Sequence, residues 1–239
     1  MTSDDPNPVN AERLVGVGAL CRAILGLGVD LLILAAAMFV PAGIGWWRGW
    51  LFLAVLLVLA LVSIGYLWRM HPGTFLARSK IPAGTKSWDM VLLVLLLVSA
   101  VVVFPVAGFD SRYHWSFVPL WLTAISYVVF TFGLAMFVWV LGVNEFAEPT
   151  VRIQTERGHK VIDTGPYAFV RHPLYLAGFF LWSGVPLALG SFWALIPAAV
   201  AAMVILVRTV LEDRTLHEEL EGYKEYAARV RSRLIPGAW

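Results

Sequence analysis

The chain has 239 residues, of which 59% are hydrophobic and 14% are charged, and its formal net charge is +2. Soluble domains carry about 25% charged residues, so the composition excludes an ordinary soluble domain, and the small net charge does not indicate nucleic-acid binding. The single cysteine, Cys21, excludes an internal disulfide and a cysteine-rich metal site. Long stretches carry no charge, and because a membrane span needs about 20 apolar residues, we predict an all-α, polytopic integral membrane protein.

Taken in chain order, the apolar stretches predict about six transmembrane helices. The polar, acidic N-terminus has no signal-peptide pattern, so we expect no cleavable leader. The first span contains Asp30, which is a functional candidate because ionisable residues are costly inside a membrane, although it could instead only pair with a neighbouring helix. The fifth and sixth spans are separated by a very short turn and could form a hairpin that does not fully cross. The predicted spans cover residues 14–40, 47–68, 89–108, 117–142, 173–189 and 191–208.

The distribution of Lys and Arg predicts the orientation of these spans. With six spans, fifteen Lys and Arg residues lie on the side that holds both termini, the second loop and the fourth loop. The opposite side holds two, Arg48 and Arg112. Cytoplasmic loops are enriched in Lys and Arg, so we expect a multi-pass protein with both termini in the cytoplasm.

Two polar segments, residues 143–172 and 209–239, lie on this cationic side. Neither is long enough to bury a core alone. We expect the fourth loop and the C-terminal helices to fold against each other and to form a cytosolic pocket that opens to the bilayer. The chain then divides into four N-terminal spans (1–142) and a catalytic region (143–239).

The fourth loop contains the stretch from Gln154 to Tyr175, in which rigid turn residues stand beside His, Tyr and Arg. Gly165-Pro166 predicts one turn. His172-Pro173 predicts a second, because the residue before proline is pushed out of the α region and proline favours the first turn of a helix. His172 is therefore expected at a helix N-cap, where free N–H groups favour an electron-rich ligand, and we interpret the loop as one wall of a ligand site.

The helix that leaves the last span carries Arg208, Glu212 and Leu216 at positions i, i+4 and i+8, hence on one face. Leu220 continues this apolar stripe, which predicts that Arg208 and Glu212 face inward. The alternative is a solvated surface ion pair, for which the order Arg-then-Glu is the weaker orientation. We predict no metal site, because the histidines and carboxylates do not follow a spacing typical of metal ligands.

Two motifs together resemble those of the isoprenylcysteine carboxyl methyltransferase family. The first is GPY-x3-RHP-x-Y, from Gly165 to Tyr175, preceded by Gln154 and by the run from His159 to Ile162. The second is the C-terminal pattern Glu212-Asp213, Leu216, Gly222-Tyr223, Tyr226 and Arg233 to Pro236. The resemblance covers about residues 144–236, and the same superfamily contains membrane phospholipid N-methyltransferases.

This resemblance implies a methyltransferase that uses S-adenosylmethionine and acts on a lipid-like or prenylated acceptor within the surrounding membrane lipids. Arg208 would meet the acceptor carboxylate, and Glu212 would complete the catalytic pair. Asp213 stands where a second glutamate is common in the family, so the choice of cofactor carboxylate between Glu212 and Asp213 stays open. The residues that would bind the cofactor are Gln154, His159, Lys160, Val161, Ile162, Gly165, Tyr167, His172, Pro173, Leu174, Tyr175 and Glu212.

The residues themselves suit this chemistry. A carboxylate acceptor is already ionised at neutral pH, so its methylation needs alignment and desolvation rather than a general base. Arg208 offers a fork that matches a carboxylate, and Tyr167 or Tyr175 offers a ring face for a sulfonium cation. Three alternatives stay open: a phospholipid amine methyltransferase, a membrane sterol or enone reductase whose NADPH would meet Arg152, Arg157 and Lys160, and a transporter or structural membrane protein.

Overall fold

The computed structural model describes residues 8–70, 85–237 and 239, with side chains from residue 18 onward in those ranges. The described residues form helices and turns without strands, which confirms the all-α prediction. Two short 3₁₀ turns, Thr155–Arg157 and Gly165–Ala168, interrupt the fourth loop. The helices are α1 (Pro8–Ala42), α2 (Trp47–Met70), α3 (Ser87–Tyr113), α4 (Leu120–Val143), α5 (Pro173–Ala188), α6 (Leu195–Glu219) and α7 (Tyr223–Arg229).

Five of these helices, α1 to α4 and α6, are long and apolar enough to cross a membrane. The architecture is therefore that of a polytopic membrane protein, with α6 continuing beyond its apolar part as predicted. The fifth predicted span, α5, has only 16 residues and extends about 24 Å at 1.5 Å per residue. A count of six complete spans, and the cytoplasmic location of both termini, remain predictions.

The short α5 nevertheless reaches the end of the bundle where α3 stops. The turn between α5 and α6 places the Ser191 hydroxyl against the carboxylate of Asp110, near the end of α3. Asp110 also accepts hydrogen bonds from the backbone N–H (2.8 Å) and the hydroxyl (2.6 Å) of Ser116, in the loop between α3 and α4. The two hairpins, α3–α4 and α5–α6, are thus tied together at one end.

Glycine residues let the helices of this bundle approach closely. A Cβ placed on Gly133 of α4 would lie 2.7 Å from the backbone nitrogen of Leu181 on α5, and one on Gly184 would lie 2.8 Å from the carbonyl oxygen of Ser126. Small residues at such crossings are typical of membrane helices, whose association depends on close packing. This contact fixes α5 along α4 and thereby positions the loop that precedes α5.

We expect Gly133→Ala to lower the unfolding midpoint measured by thermal denaturation in detergent. The added methyl group would lie 2.7 Å from the backbone nitrogen of Leu181 and 3.1 Å from the carbonyl oxygen of Ala177, and overpacking of this kind costs about 1–3 kcal/mol. Gly65→Ala on α2 is the matched control, because a Cβ there meets nothing within 4 Å. An equal midpoint for the two variants would contradict the close α4–α5 packing.

Candidate active site

A cavity of about 410 Å³ lies among α3 to α7 and the loop before α5. The residues that α5 and α6 contribute to it change from polar to apolar along each helix. On α6, Glu212 and Arg208 are followed by Ile205 one turn deeper in the span, and on α5, Tyr175 is followed by Gly178. The cavity is therefore polar near the loop and apolar toward the span interiors. Its apolar part is also lined by Leu93, Leu96, Leu97, Leu181 and Trp182.

Most of the predicted site residues line this one cavity. Two do not. Gly165 supplies a turn with φ +57°, where a side chain would be strained and would press on Val143, and Pro173 is the buried first residue of α5. Cofactor binding by these residues remains a prediction. The lining residues among them are Gln154, His159, Lys160, Val161, Ile162, Tyr167, His172, Leu174, Tyr175, Arg208 and Glu212.

The carboxylate of Asp213 is buried behind the cavity and holds its walls together. Arg171 forms a bidentate pair with it (Nε–Oδ1 2.8 Å, Nη2–Oδ2 3.1 Å). Arg233 donates to Oδ2 at 2.8 Å, and the Tyr223 hydroxyl donates to Oδ1 at 2.9 Å. The His172 ring nitrogen Nε2 lies 3.2 Å from Oδ1. Both oxygens of Asp213 are thus occupied by side chains, and of the two neighbouring carboxylates Glu212 is the one that lines the cavity.

The C-terminal segment lies directly against the loop before α5. The backbone N–H groups of Arg171 and His172 donate to the carbonyls of Ser232 (3.0 Å) and Arg233 (2.9 Å). Nη1 of Arg171 donates to the carbonyls of Val230 and Arg231. The two polar segments therefore fold against each other, as predicted, and His172 occupies the expected N-cap of α5.

Burial and the charge of Asp213 raise the pKa of Tyr223. The Tyr223 hydroxyl therefore remains protonated at neutral pH and acts as a hydrogen-bond donor toward the carboxylate. Nearby, Leu220, Tyr223 and Tyr226 form a buried apolar cluster with Ile153 and Val161 from the loop. This apolar cluster and the ion pairs of Asp213 together hold the polar wall of the cavity in place.

Glu212 and Tyr175 form a polar pair on the cavity wall. The Tyr175 hydroxyl donates to Oε2 of Glu212. Oε1 of Glu212 accepts no hydrogen bond from the described residues, so it remains available to an amino or hydroxyl group of a ligand. The Tyr175 ring also lies near the guanidinium of Arg208, whose central carbon is 5.6 Å from the ring centre.

Arg208 is held from behind by a residue that the sequence analysis did not select. Its Nε donates to Oδ1 of Asp89 at 2.7 Å, and its Nη2 donates to the carbonyl of Pro149 at 3.0 Å. Within the described part of the chain it forms no ion pair with Glu212, so the alternative of a surface i,i+4 pair is wrong. The fork that was predicted to meet a carboxylate is occupied on its Nε side, and its role with the acceptor remains a prediction. Nη1 and one N–H of Nη2 have no partner among the described residues.

Gln154 and His159 stabilise the loop from within. The Gln154 amide donates to the carbonyl of Phe146 (2.6 Å) and accepts from Arg157 (2.6 Å), so both of its ends are engaged. The Gln154 backbone N–H points at Nδ1 of His159 at 3.3 Å. Burial lowers the pKa of His159, which favours a neutral ring with its proton on Nε2. His159 thus offers an N–H donor, whereas Gln154 has its amide oxygen and nitrogen engaged inside the loop.

Residues 124–218 match the sequence model of the isoprenylcysteine carboxyl methyltransferase (ICMT) family. The chain is similar to that family over this region. The match confirms the resemblance drawn from the motifs. It includes most of α4, the loop before α5 that carries the RHP motif (the RHP loop), α5 and nearly all of α6. A protein of Arabidopsis thaliana described as Protein-S-isoprenylcysteine O-methyltransferase B is 26% identical over 159 residues, covering 60% of this chain and 70% of that protein.

The sequence analysis missed two residues, Asn144 inside the matched region and Asp89 before it. Asn144 lines the cavity and donates its amide N–H to the Tyr167 hydroxyl at 2.7 Å. Asp89 is the first residue of the third predicted span. Charged residues inside spans usually have partners, and this signal could have identified Asp89 as a candidate site residue. Asp30 lies on the exposed face of α1 and does not line the cavity, so its role stays open. Among the side chains described, no group of three His, Cys, Asp or Glu residues is arranged to hold a metal ion.

We expect Asp213→Asn to destabilise the ICMT-family region strongly. The change leaves the buried cation of Arg171 and the partly exposed cation of Arg233 without a counter-charge, and breaking a buried ion pair costs about 3–5 kcal/mol. Thermal unfolding in detergent, combined with proteolysis of the C-terminal segment, measures this loss. Glu218→Gln on the same helix is the control, because its ion pair with Arg214 is mostly exposed and exposed pairs contribute little. Equal stability of the two variants would contradict the central role of Asp213.

Proposed function

We propose that the protein is an integral membrane methyltransferase that transfers the methyl group of S-adenosylmethionine to a carboxylate on a lipid-like acceptor. The observation that carries the proposal is one cavity with a polar part next to the loop and an apolar part between the spans. A small polar donor and an amphipathic acceptor have to meet in such a space. The ICMT family of residues 124–218 supports the same reaction class.

The polar part of the cavity offers hydrogen-bond donors and acceptors that suit the cofactor. The free Oε1 of Glu212 suits amino or hydroxyl groups, and the Nε2–H of His159 with the ammonium of Lys160 suits a carboxylate. The rings of Tyr167 and Tyr175 provide faces for a sulfonium cation. S-adenosylmethionine would supply an electrophilic methyl group here, and the protein's part is to hold it and to exclude water.

At the other side of the reacting centre, Arg208 would bind the acceptor head group. The residue is 5% exposed, and Nη1 with one N–H of Nη2 remains for a carboxylate. Charge-assisted bonds of this kind are strong and directional. When bound, S-adenosylmethionine would supply its methyl group to the carboxylate oxygen that Arg208 holds, and its sulfur would leave as a neutral thioether. No proton has to move, so alignment by Arg208 replaces a general base.

The apolar part of the cavity suits the tail of the acceptor. Leu93, Leu96 and Leu97 of α3 face Leu181 and Trp182 of α5 across it. A hydrocarbon chain buried there contributes about 0.8 kcal/mol for each CH₂ group. The relative in Arabidopsis thaliana is named for an S-isoprenylcysteine, and a prenylated cysteine or another isoprenoid acid fits both parts of this cavity.

The alternatives fit the site less well. A phospholipid amine would bring a second cation to Arg208. The reductase hypothesis needs free cations for a 2′-phosphate, but Arg152 is paired with Glu148 (2.8 Å) and Glu156 (2.6 Å). Arg157 is bonded to Gln154 and to a loop carbonyl. These engaged arginines favour the methyltransferase over the reductase.

Alanine substitutions at Arg208 and Glu212 should separate acceptor binding from cofactor binding. Arg208→Ala is expected to lower methyl transfer to a carboxylate by about 100-fold or more and to keep S-adenosylmethionine affinity within about threefold. Glu212→Ala removes a charged hydrogen-bond partner and should weaken cofactor affinity by about 10-fold or more.

Calorimetry measures the cofactor affinities of these variants. Transfer of a radiolabelled methyl group to an acetylated S-farnesylcysteine and to a panel of lipid acids measures turnover. Full activity of Arg208→Ala would contradict its role with the acceptor. Unchanged cofactor affinity of Glu212→Ala would remove that residue from the cofactor site.

Filling the apolar part of the cavity should block the acceptor alone. Gly178 lines this part, and a Cβ placed on it already lies 3.3 Å from Ile205. We expect Gly178→Leu to lower kcat/KM for the prenylated acceptor by about 10-fold or more without changing cofactor affinity. The control is Gly26→Leu on the open face of α1, where a Cβ meets nothing within 4 Å. Equal kcat/KM values for the two variants would contradict acceptor binding between α3 and α5.

A further inference from the structure

Helix α3 lies outside the residues that match the ICMT family, yet it forms a wall of the cavity. Its residues Asp89, Leu93, Leu96 and Leu97 follow the spacing i, i+4, i+7 and i+8, which places them on one helix face. The three leucines line the apolar part of the cavity. Asp89 precedes them by one turn and lies behind Arg208, fully buried at 0% exposure.

Asp89 connects three separate parts of the chain. One carboxylate oxygen, Oδ1, accepts the Nε–H of Arg208 on α6 at 2.7 Å. The other, Oδ2, accepts the backbone N–H of Val151 in the loop at 2.8 Å. Arg208 in turn donates from Nη2 to the carbonyl of Pro149, two residues before Val151. The result is a closed ring of hydrogen bonds from α3 to the loop, from the loop to α6, and back to α3.

We infer that Asp89 is a positioning residue for methyl transfer, an inference that rests on the proposed function. Arginine has a long, flexible side chain, and a buried guanidinium needs a partner of opposite charge. Asp89 supplies that charge on the Nε side, which fixes the plane of the guanidinium and leaves its Nη1 end for the acceptor carboxylate. Asp89 therefore acts through Arg208 and does not touch the acceptor itself.

The same helix offers a matched control at its other end. Asp110 is equally buried, at 1% exposure, and it also joins a loop to the α5–α6 hairpin through Ser116 and Ser191. None of these three residues lines the cavity. Both Asp89→Asn and Asp110→Asn weaken the contacts that anchor α3. Only Asp89→Asn also removes the charge that orients Arg208.

The test compares these two variants of the full chain with the parent protein in detergent. The assay uses radiolabelled S-adenosylmethionine with the acetylated S-farnesylcysteine and the panel of lipid acids. We expect Asp89→Asn to lower kcat/KM for the acceptor by about 10-fold or more while its cofactor affinity by calorimetry stays within about threefold. Asp110→Asn should lower the unfolding midpoint and keep kcat/KM, for the folded fraction, within about threefold of the parent.

A second measurement tests whether Asp89 acts through Arg208. In an Arg208→Lys background the fork that Asp89 orients is gone, so adding Asp89→Asn should change kcat/KM by less than about threefold, as expected for residues that work as one unit. Full additivity of the two losses would overturn the positioning role. So would parental activity of Asp89→Asn, or an equal loss of activity in Asp110→Asn, and either result would leave the proposed function standing. A parent protein that transfers no methyl group to any of these acids would overturn the proposed function and the role of Asp89 together.

Discussion

The buried carboxylate of Asp213 is the contact on which the polar half of the molecule depends. Two segments of about thirty residues each, too short to bury cores of their own, are joined at this carboxylate by Arg171, Arg233 and Tyr223. A carboxylate placed among two arginines is stable in a buried site only because each of its oxygens is satisfied. The apolar cluster around Tyr223 and Tyr226 completes the arrangement. The RHP loop is thereby fixed at the start of α5, and the cavity acquires a rigid polar wall.

The cavity wall is largely neutralised by internal pairs, which leaves few groups for a ligand. Arg171 is paired with Asp213, Arg152 with Glu148, and Arg208 with Asp89. The groups that remain include one free carboxylate oxygen on Glu212, the Nη1 end of Arg208 and, in the loop, His159 and Lys160. An anionic group and a cationic group, held apart on one helix face, suit the cationic methyl donor and the anionic acceptor of the proposed reaction. In that reaction, the apolar part between α3 and α5 would select an acceptor with a hydrocarbon tail.

Much of the fold and of the site could be predicted because the signals were local. Hydropathy identified the long spans, and the spacing on α6 identified the face that carries Arg208. Three features needed the structure. Glu212 and Asp213 are adjacent on α6, so their side chains point about 100° apart around the helix axis. Which of them faces the cavity depends on how α6 is rotated, and the sequence spacing alone did not resolve this. Asp89 lies 119 residues before Arg208, and no local pattern joins them. Gln154 was predicted to bind the cofactor, but its amide bonds inside the loop depend on a backbone path that composition does not specify.

The most direct test of the proposed reaction is a calorimetric titration of the purified protein in detergent with S-adenosylmethionine, S-adenosylhomocysteine and, as a comparison ligand, NADPH. The free oxygen of Glu212 and the engaged state of Arg152 and Arg157 predict micromolar binding of the first two ligands and no binding of NADPH. Binding of NADPH alone would contradict the methyltransferase assignment and favour a reductase. Absence of binding by all three ligands would contradict a cofactor site in this cavity.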